Sequence, residues 1–177
     1  MKLGLLATGL GLVMNASNAR AAVVTHEFDG NSVNYCQAFT PGPSNTIRNR
    51  VLGAENVGSA TINVACDWHS MYNGTGSDPS DLYVYFSNNN ASGTISVSCS
   101  LLTGYQTQGG ANQYLVTKTF DVVAGTQSQL HFSGADNPDP AGPSATFNND
   151  LIGINCSLPH GGVINDTYLV WSMDNGV

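Results

Sequence analysis

Cys36, Cys66, Cys99 and Cys156 are the only cysteines of this chain, and three of them sit inside runs that alternate apolar with polar residues. Ile62, Val64, Cys66 and Trp68 alternate with Thr61, Asn63, Ala65 and Asp67. Ile95, Val97, Cys99 and Leu101 alternate with Thr94, Ser96, Ser98 and Ser100. Ile152, Ile154, Cys156 and Leu158 alternate with Leu151, Gly153, Asn155 and Ser157. In an extended chain successive side chains point to opposite faces, so each run has one apolar and one mostly polar face. The cysteines share the phase of the aliphatic residues and belong to a core. No segment holds a sustained helical period, and the glycine and asparagine content removes the long windows an amphipathic helix needs.

Further strands are expected at Val23–Phe28, Thr46–Leu52, Leu82–Phe86, Tyr114–Val123, Ser128–Phe132 and Thr167–Met173. Turn-rich segments separate them: 40–44, 72–80, 88–93, 107–112, 133–144 and 159–162. About nine short strands punctuated in this way predict an all-β fold, a single antiparallel β-sandwich or jelly-roll-like domain.

The chain opens with Lys2 and an apolar run from Leu3 to Met14, followed by Ala19-Arg20-Ala21. This reads as a signal peptide over residues 1–21, leaving one domain over 22–177. The apolar run, about a dozen residues, is shorter than the roughly 20 that span a bilayer. The expected location is secreted, either periplasmic or extracellular, with no membrane insertion. In an oxidising compartment an even cysteine count reads as two disulfides. Four cysteines allow three connectivities. The likeness of Val97-Ser98-Cys99-Ser100-Leu101 to Ile154-Asn155-Cys156-Ser157-Leu158 favours Cys99–Cys156, and with it Cys36–Cys66. A redox or zinc site needs close spacings such as Cys-x-x-Cys, which do not occur.

Charge removes some partners. Past residue 21 the cations are Arg48, Arg50 and Lys118, set against all 12 acids. Nucleic acid and anionic membrane surfaces call for clustered Lys and Arg, so neither is an expected partner of this acidic chain.

The chain also resembles a group of small secreted four-cysteine proteins of Gram-negative bacteria, largely uncharacterised. The resemblance rests on Tyr35-Cys36, Ile47-Arg48-Asn49-Arg50-Val51, Asn56-Val57-Gly58 leading to Val64-Ala65-Cys66, then Val97-Ser98-Cys99, Asn155-Cys156-Ser157-Leu158-Pro159 and Tyr168-Leu169-Val170. It implies a secreted, disulfide-bonded β-sandwich and carries no assigned activity. The chain departs from the pattern at Asp67-Trp68, where a proline and an aliphatic residue are expected.

No Gly-x-Ser-x-Gly, His-Glu-x-x-His or phosphate-loop motif is present, so no catalytic residue is assigned. Three clusters are candidate sites. Asp67 and His69, flanking Trp68, are two residues apart and share a strand face, a spacing that can chelate a metal. Asp136 and Asp139 lie in an oxygen-rich, proline-containing loop of the kind that binds calcium, to which Asp78 and Asp81 can add. Tyr83 and Tyr85 share a strand face opposite Leu82, Val84 and Phe86. With Trp68, Tyr72, Tyr105 or Trp171 they can offer aromatic surface to sugar rings. The expected role is therefore binding or structural, at or outside the cell envelope. The alternatives are a glycan- or calcium-dependent recognition module, and a filament subunit that self-associates by donating its N-terminal strand.

Overall fold

Alternation of the kind seen at Cys66, Cys99 and Cys156 has one physical outcome: strands that bury one face and pair through their backbones. The computed structural model describes residues 23–39, 47–69, 79–107, 110–136, 147 and 151–174. The expected signal segment, residues 1–21, lies outside them. Eleven strands are described: β1 (Val23–Asn31), β2 (Cys36–Ala38), β3 (Ile47–Arg50), β4 (Gly53–Asn56), β5 (Ile62–His69), β6 (Pro79–Asn88), β7 (Thr94–Thr107), β8 (Gly110–Val123), β9 (Gln127–Ser133), β10 (Leu151–Leu158) and β11 (Gly162–Asp174). A single helical turn, α1 (Ser32–Tyr35), joins β1 to β2.

The strands form two antiparallel sheets, a β-sandwich. Sheet A runs β3-β4-β11-β6-β9, with β1 also paired to β11; sheet B runs β2-β5-β10-β7-β8. Their facing sides make one core. Leu82, Val84 and Phe86 of β6 and Phe132 of β9 are fully buried against Val64, Cys66, Val97, Leu101, Ile154 and Leu158 of sheet B. Each such large apolar side chain contributes roughly 1.5–3 kcal/mol on burial. Phe86 and Phe120 meet edge-on at 5.0 Å, the geometry that aromatic quadrupoles favour.

Both disulfides lie within sheet B. Cys36 and Cys66 are direct register partners on β2 and β5, and so are Cys99 and Cys156 on β7 and β10. The bonds are Cys36–Cys66 and Cys99–Cys156, and no cysteine is free. Sheet A has no covalent link and depends on packing and hydrogen bonds.

One expected strand divides in two. Thr46–Leu52 reads as continuous, but the chain turns at Val51-Leu52 between β3 and β4. Gly53 drives the turn. Its φ of 146° suits glycine, and a Cβ there would strike the Ile164 carbonyl of β11. The resemblance motif Asn56-Val57-Gly58 also has a structural meaning. Asn56, fully buried, donates to the carbonyls of Ala60 and Leu158, both at 2.8 Å, and accepts from the Gly58 amide at 2.9 Å. His160 closes the same end through Nδ1 and the Gly58 carbonyl, 2.8 Å apart.

Candidate functional site

Among the described residues, the outward face of sheet A gathers a cluster of aromatic, imidazole and carboxylate side chains. Strand β6 sends Leu82, Val84 and Phe86 inward, which leaves Asp81, Tyr83, Tyr85 and Ser87 half-buried on the other side. Register then fixes their neighbours. Tyr83 is opposite His131 of β9 and Tyr168 of β11, and Tyr168 is opposite Asp29 of β1. Four adjacent strands thus supply one transverse row: Asp29, Tyr168, Tyr83, His131. Side chains directly opposite across an antiparallel pair are close enough to touch. The rings of Tyr83 and His131 stack at 4.3 Å, 7° from parallel. Tyr168 flanks the other side of Tyr83 at 6.0 Å, tilted by 52°.

Polar groups hold this row in place. His131 Nε2 and Asp81 Oδ1 are 2.7 Å apart, and the Ser80 hydroxyl donates to the other Asp81 oxygen at 2.7 Å. Gln129 donates to the Tyr85 hydroxyl at 2.9 Å. A hydrogen bond to the Glu27 carboxylate pushes the Tyr168 hydroxyl up to about 12, with burial and the charges of Glu27 and Asp29 adding to it. Burial, then the charges of Asp81 and Tyr85, raise Tyr83. Burial and the nearby Asp29 raise the carboxyl of Asp166. The face is therefore aromatic at its centre and bordered by carboxylates: Glu27, Asp29, Asp81 and Asp166. It suits ligands that donate many hydrogen bonds and rest apolar surface on rings. It repels polyanions.

The other expected site residues are dispersed. Trp68 belongs to the core, 7% exposed, with its Nε1 enclosed and without a hydrogen-bond partner. It is on β5 of sheet B, away from the tyrosines. Asp67 projects from the polar face of the same strand, opposite Gly153. His69 ends β5; its side chain lies outside what is described. Asp136 follows β9 in a 3-10 turn, and its carboxylate is engaged within the protein. Oδ2 accepts from Lys118 Nζ at 2.8 Å, from the Ser133 amide at 2.7 Å and from the Ser133 hydroxyl at 3.1 Å. Burial alone would raise this carboxyl, but those donors and the Lys118 charge outweigh it and hold it below the ordinary value. Asp139, Asp78 and Tyr72 lie outside the described residues, and Tyr105 is on β7 of sheet B. Among the described residues no group of three or more His, Cys, Asp or Glu is arranged to hold a metal.

Three members of the row are missed by sequence reasoning: Asp29, His131 and Tyr168, the last read only as part of the Thr167–Met173 strand. Alternation does place His131 on the polar phase of β9, between Leu130 and Phe132. Nothing in the sequence sets the β6–β9 register that puts it on Tyr83.

No family model matches the sequence, and no curated protein matches it. Among solved structures the chain is similar to the carbohydrate-binding module TmCBM61 in complex with β-1,4-galactotriose, at 9% identity and a TM-score of 0.37, covering 81% of this chain and 86% of that one. It is also similar to a Podospora anserina GH26-CBM35 β-(1,4)-mannanase (14% identity, TM-score 0.34, covering 85% of this chain and 28% of that one). A third is an exo-β-1,3-galactanase from Phanerochaete chrysosporium with galactose (14%, 0.36, covering 82% and 29%). The chain spans under a third of the two enzymes' lengths. At these scores the neighbours carry no argument about a ligand, and the fold class stands on the two sheets themselves.

Proposed function

We propose that this protein is an exported glycan-binding β-sandwich that recognises a neutral carbohydrate on the outward face of sheet A. The observation that carries this reading is the row Tyr168–Tyr83–His131, set across three strands and bordered by hydrogen-bonded carboxylates. Sugars present two surfaces, an apolar C–H face and a rim of hydroxyls. Aromatic rings meet the first and carboxylates, amides and phenols meet the second. Tyr83 is flanked by rings on both sides, so it acts as the support, while Tyr168 and His131 form the contact surface. This differs from the expected pairing of Tyr83 with Tyr85 along one strand. An open sheet face suits a stretch of polymer better than an isolated small molecule, which is usually enclosed in a pocket.

The supporting context is consistent. Four paired cysteines and a signal-like N-terminus favour a location outside the cytoplasm. Strand β1 pairs with β11 of its own chain from Val23 to Asn31. That supports a self-contained domain over a subunit that donates its N-terminal strand. The test is affinity electrophoresis of the purified protein through gels containing neutral polysaccharides, backed by a glycan array. At least one neutral glycan should retard the protein, and Tyr168→Ala should lose about tenfold or more in affinity, the loss of one aromatic contact of about 1.4 kcal/mol. If no neutral glycan binds, the reading fails.

A further inference from the structure

We infer that the cleft between the β3–β4 turn and strands β6 and β11 is a chain-end subsite that takes the terminal sugar of the neutral glycan bound on sheet A. The inference rests on the glycan-binding reading and adds to it where the bound chain ends. The cleft is about 320 Å³, near the lower limit for a ligand site, a size for a ring or two and not for a polymer. It continues the aromatic face. Ser87, part of its lining, follows Tyr85 on the outward side of β6, and Val163 stands opposite Ser87 in register.

The turn above it is the unusual part. Val51 is 90% exposed and Leu52 74%, two large apolar side chains held in solvent next to each other. Their backbone is nonetheless pinned. Asn31 donates its side-chain amide to the Val51 carbonyl at 3.1 Å, and Asn165 donates to the Leu52 carbonyl at 3.0 Å. Gly53 locks the following residue against β11. In making its bond Asn165 leaves its own Oδ1 enclosed without a partner, a net cost to the fold. A turn kept only for stability would bury Leu52 and satisfy Asn165. This one is fixed in a shape that displays apolar surface at the mouth of the cleft, which is how a pre-organised ligand contact is built.

The lining also has the dual chemistry of a sugar ring. Leu52 and Val51 offer an apolar wall for a C–H face, and Val163, itself buried, backs the cleft. Arg50 stands at the rim, its Nε bonded to Glu55 and its guanidinium carrying further N–H donors for ring hydroxyls. Ser87 can both donate and accept.

The test uses β-linked tri- to hexasaccharides of glucose, mannose and galactose in isothermal titration with the wild-type protein, Leu52→Ala, Val51→Ala and Tyr168→Ala. Leu52 and Val51 are exposed, so both variants should fold, as thermal melts would verify. The inference predicts that Leu52→Ala weakens a short oligosaccharide at least fivefold while changing retention on the long polymer much less, because internal segments of a polymer use the face alone. Unchanged oligosaccharide affinity in both turn variants, alongside a loss in Tyr168→Ala, overturns the chain-end subsite and leaves the face reading standing. If wild-type protein binds no oligosaccharide and no polymer, both fall together.

Discussion

Tyr83 on β6 and His131 on β9 stand in direct register with their rings 4.3 Å apart and 7° from parallel. Asp81 fixes the imidazole from its far nitrogen side, at 2.7 Å. The stack therefore supports the sheet as well as any ligand. An aromatic pair contributes about 0.5–1.5 kcal/mol beyond the area it buries. Tyr83→Ala should lower the melting temperature by about 1–6 °C, taking about 2–4 °C per kcal/mol for a domain of this size. It should also weaken glycan binding as much as Tyr168→Ala does, because Tyr168 would lose the ring it leans on. Tyr83→Phe keeps both ring contacts and should leave the melting temperature nearly unchanged. Calorimetry of the three variants checks this, and equal destabilisation by Phe and Ala would remove the stack as the cause.

The Tyr168 hydroxyl gives the face a spectroscopic reporter. Its hydrogen bond to Glu27, followed by burial and the charges of Glu27 and Asp29, pushes it up to about 12. A pKa raised on folding means that the folded state holds this proton more tightly. The contribution to stability is complete below the ordinary tyrosine value, about 10, and disappears as pH rises through the folded value. Ultraviolet titration should show Tyr168 ionising late, with Tyr83 also shifted upward. Glu27→Gln, which keeps the length but removes the charge, should bring Tyr168 back toward the ordinary range. A titration identical in the two proteins would contradict the Glu27 assignment.

Much of this architecture is legible in the residues, and the exceptions have physical causes. The alternations around Cys66, Cys99 and Cys156 mark β5, β7 and β10, the three central strands of sheet B, because a strand flanked on both sides keeps a regular pleat. The pairing of Cys99 with Cys156 follows because similar strands take the same phase in one sheet. Local pattern fails where a long-range contact decides. The turn at Val51-Leu52 exists because Gly53 must clear the Ile164 carbonyl, a collision invisible to any window around residue 53. Phe147 is fully buried, with its amide bonded to the Pro79 carbonyl at 2.6 Å, although it falls between the turn-rich stretch 133–144 and the alternating run that starts at Leu151. The candidate site is legible in half. Alternation gives the outward direction of Tyr83 and Tyr85. The identity of their neighbours, His131 and Tyr168, is a matter of register, which depends on packing across the whole sheet.

Lys118 and Asp136 form the ion pair that closes the edge of the sandwich beyond β9, at 2.8 Å, with the Lys118 ammonium 5.1 Å from the Phe132 ring centre. The Asp136 carboxyl is held below its ordinary value, despite burial, by Lys118 and Ser133. A pKa depressed on folding contributes stability above the unfolded value, about 3.9, which is lost as pH falls through the folded value. The effect therefore lies below about pH 4. Both groups are about a quarter to a third exposed, so solvent screening limits the pair to about 1 kcal/mol. Lys118→Met should lower the melting temperature by about 2–4 °C at neutral pH and flatten its acid limb. Parallel acid limbs in the two proteins would show that the pair does not set this carboxyl.

The two disulfides should open in a fixed order, because they sit at different depths of the same sheet. Cys36 is on β2, a three-residue edge strand, and is 8% exposed. Fraying of so short an edge exposes Cys36–Cys66 without disturbing the rest of the sheet. Cys99 and Cys156 are fully buried on β7 and β10, which are enclosed by β8 on one side and β5 on the other. A thiolate reaches that bond only when the interior strands separate. Limited reduction followed by alkylation and peptide mapping should therefore give a species labelled at Cys36 and Cys66 alone, before any labelled at all four. The separations of 30 and 57 residues set an upper chain-entropy contribution of about 3–4 kcal/mol for each bond. The half-reduced species should stay folded with a melting temperature lower by up to about 15 °C. The fully reduced chain loses both links of sheet B while sheet A never had one, so cooperative unfolding should then fall toward ordinary working temperatures. If Cys99 and Cys156 were labelled first, sheet B would have to open from its centre, against the packing that the two sheets share.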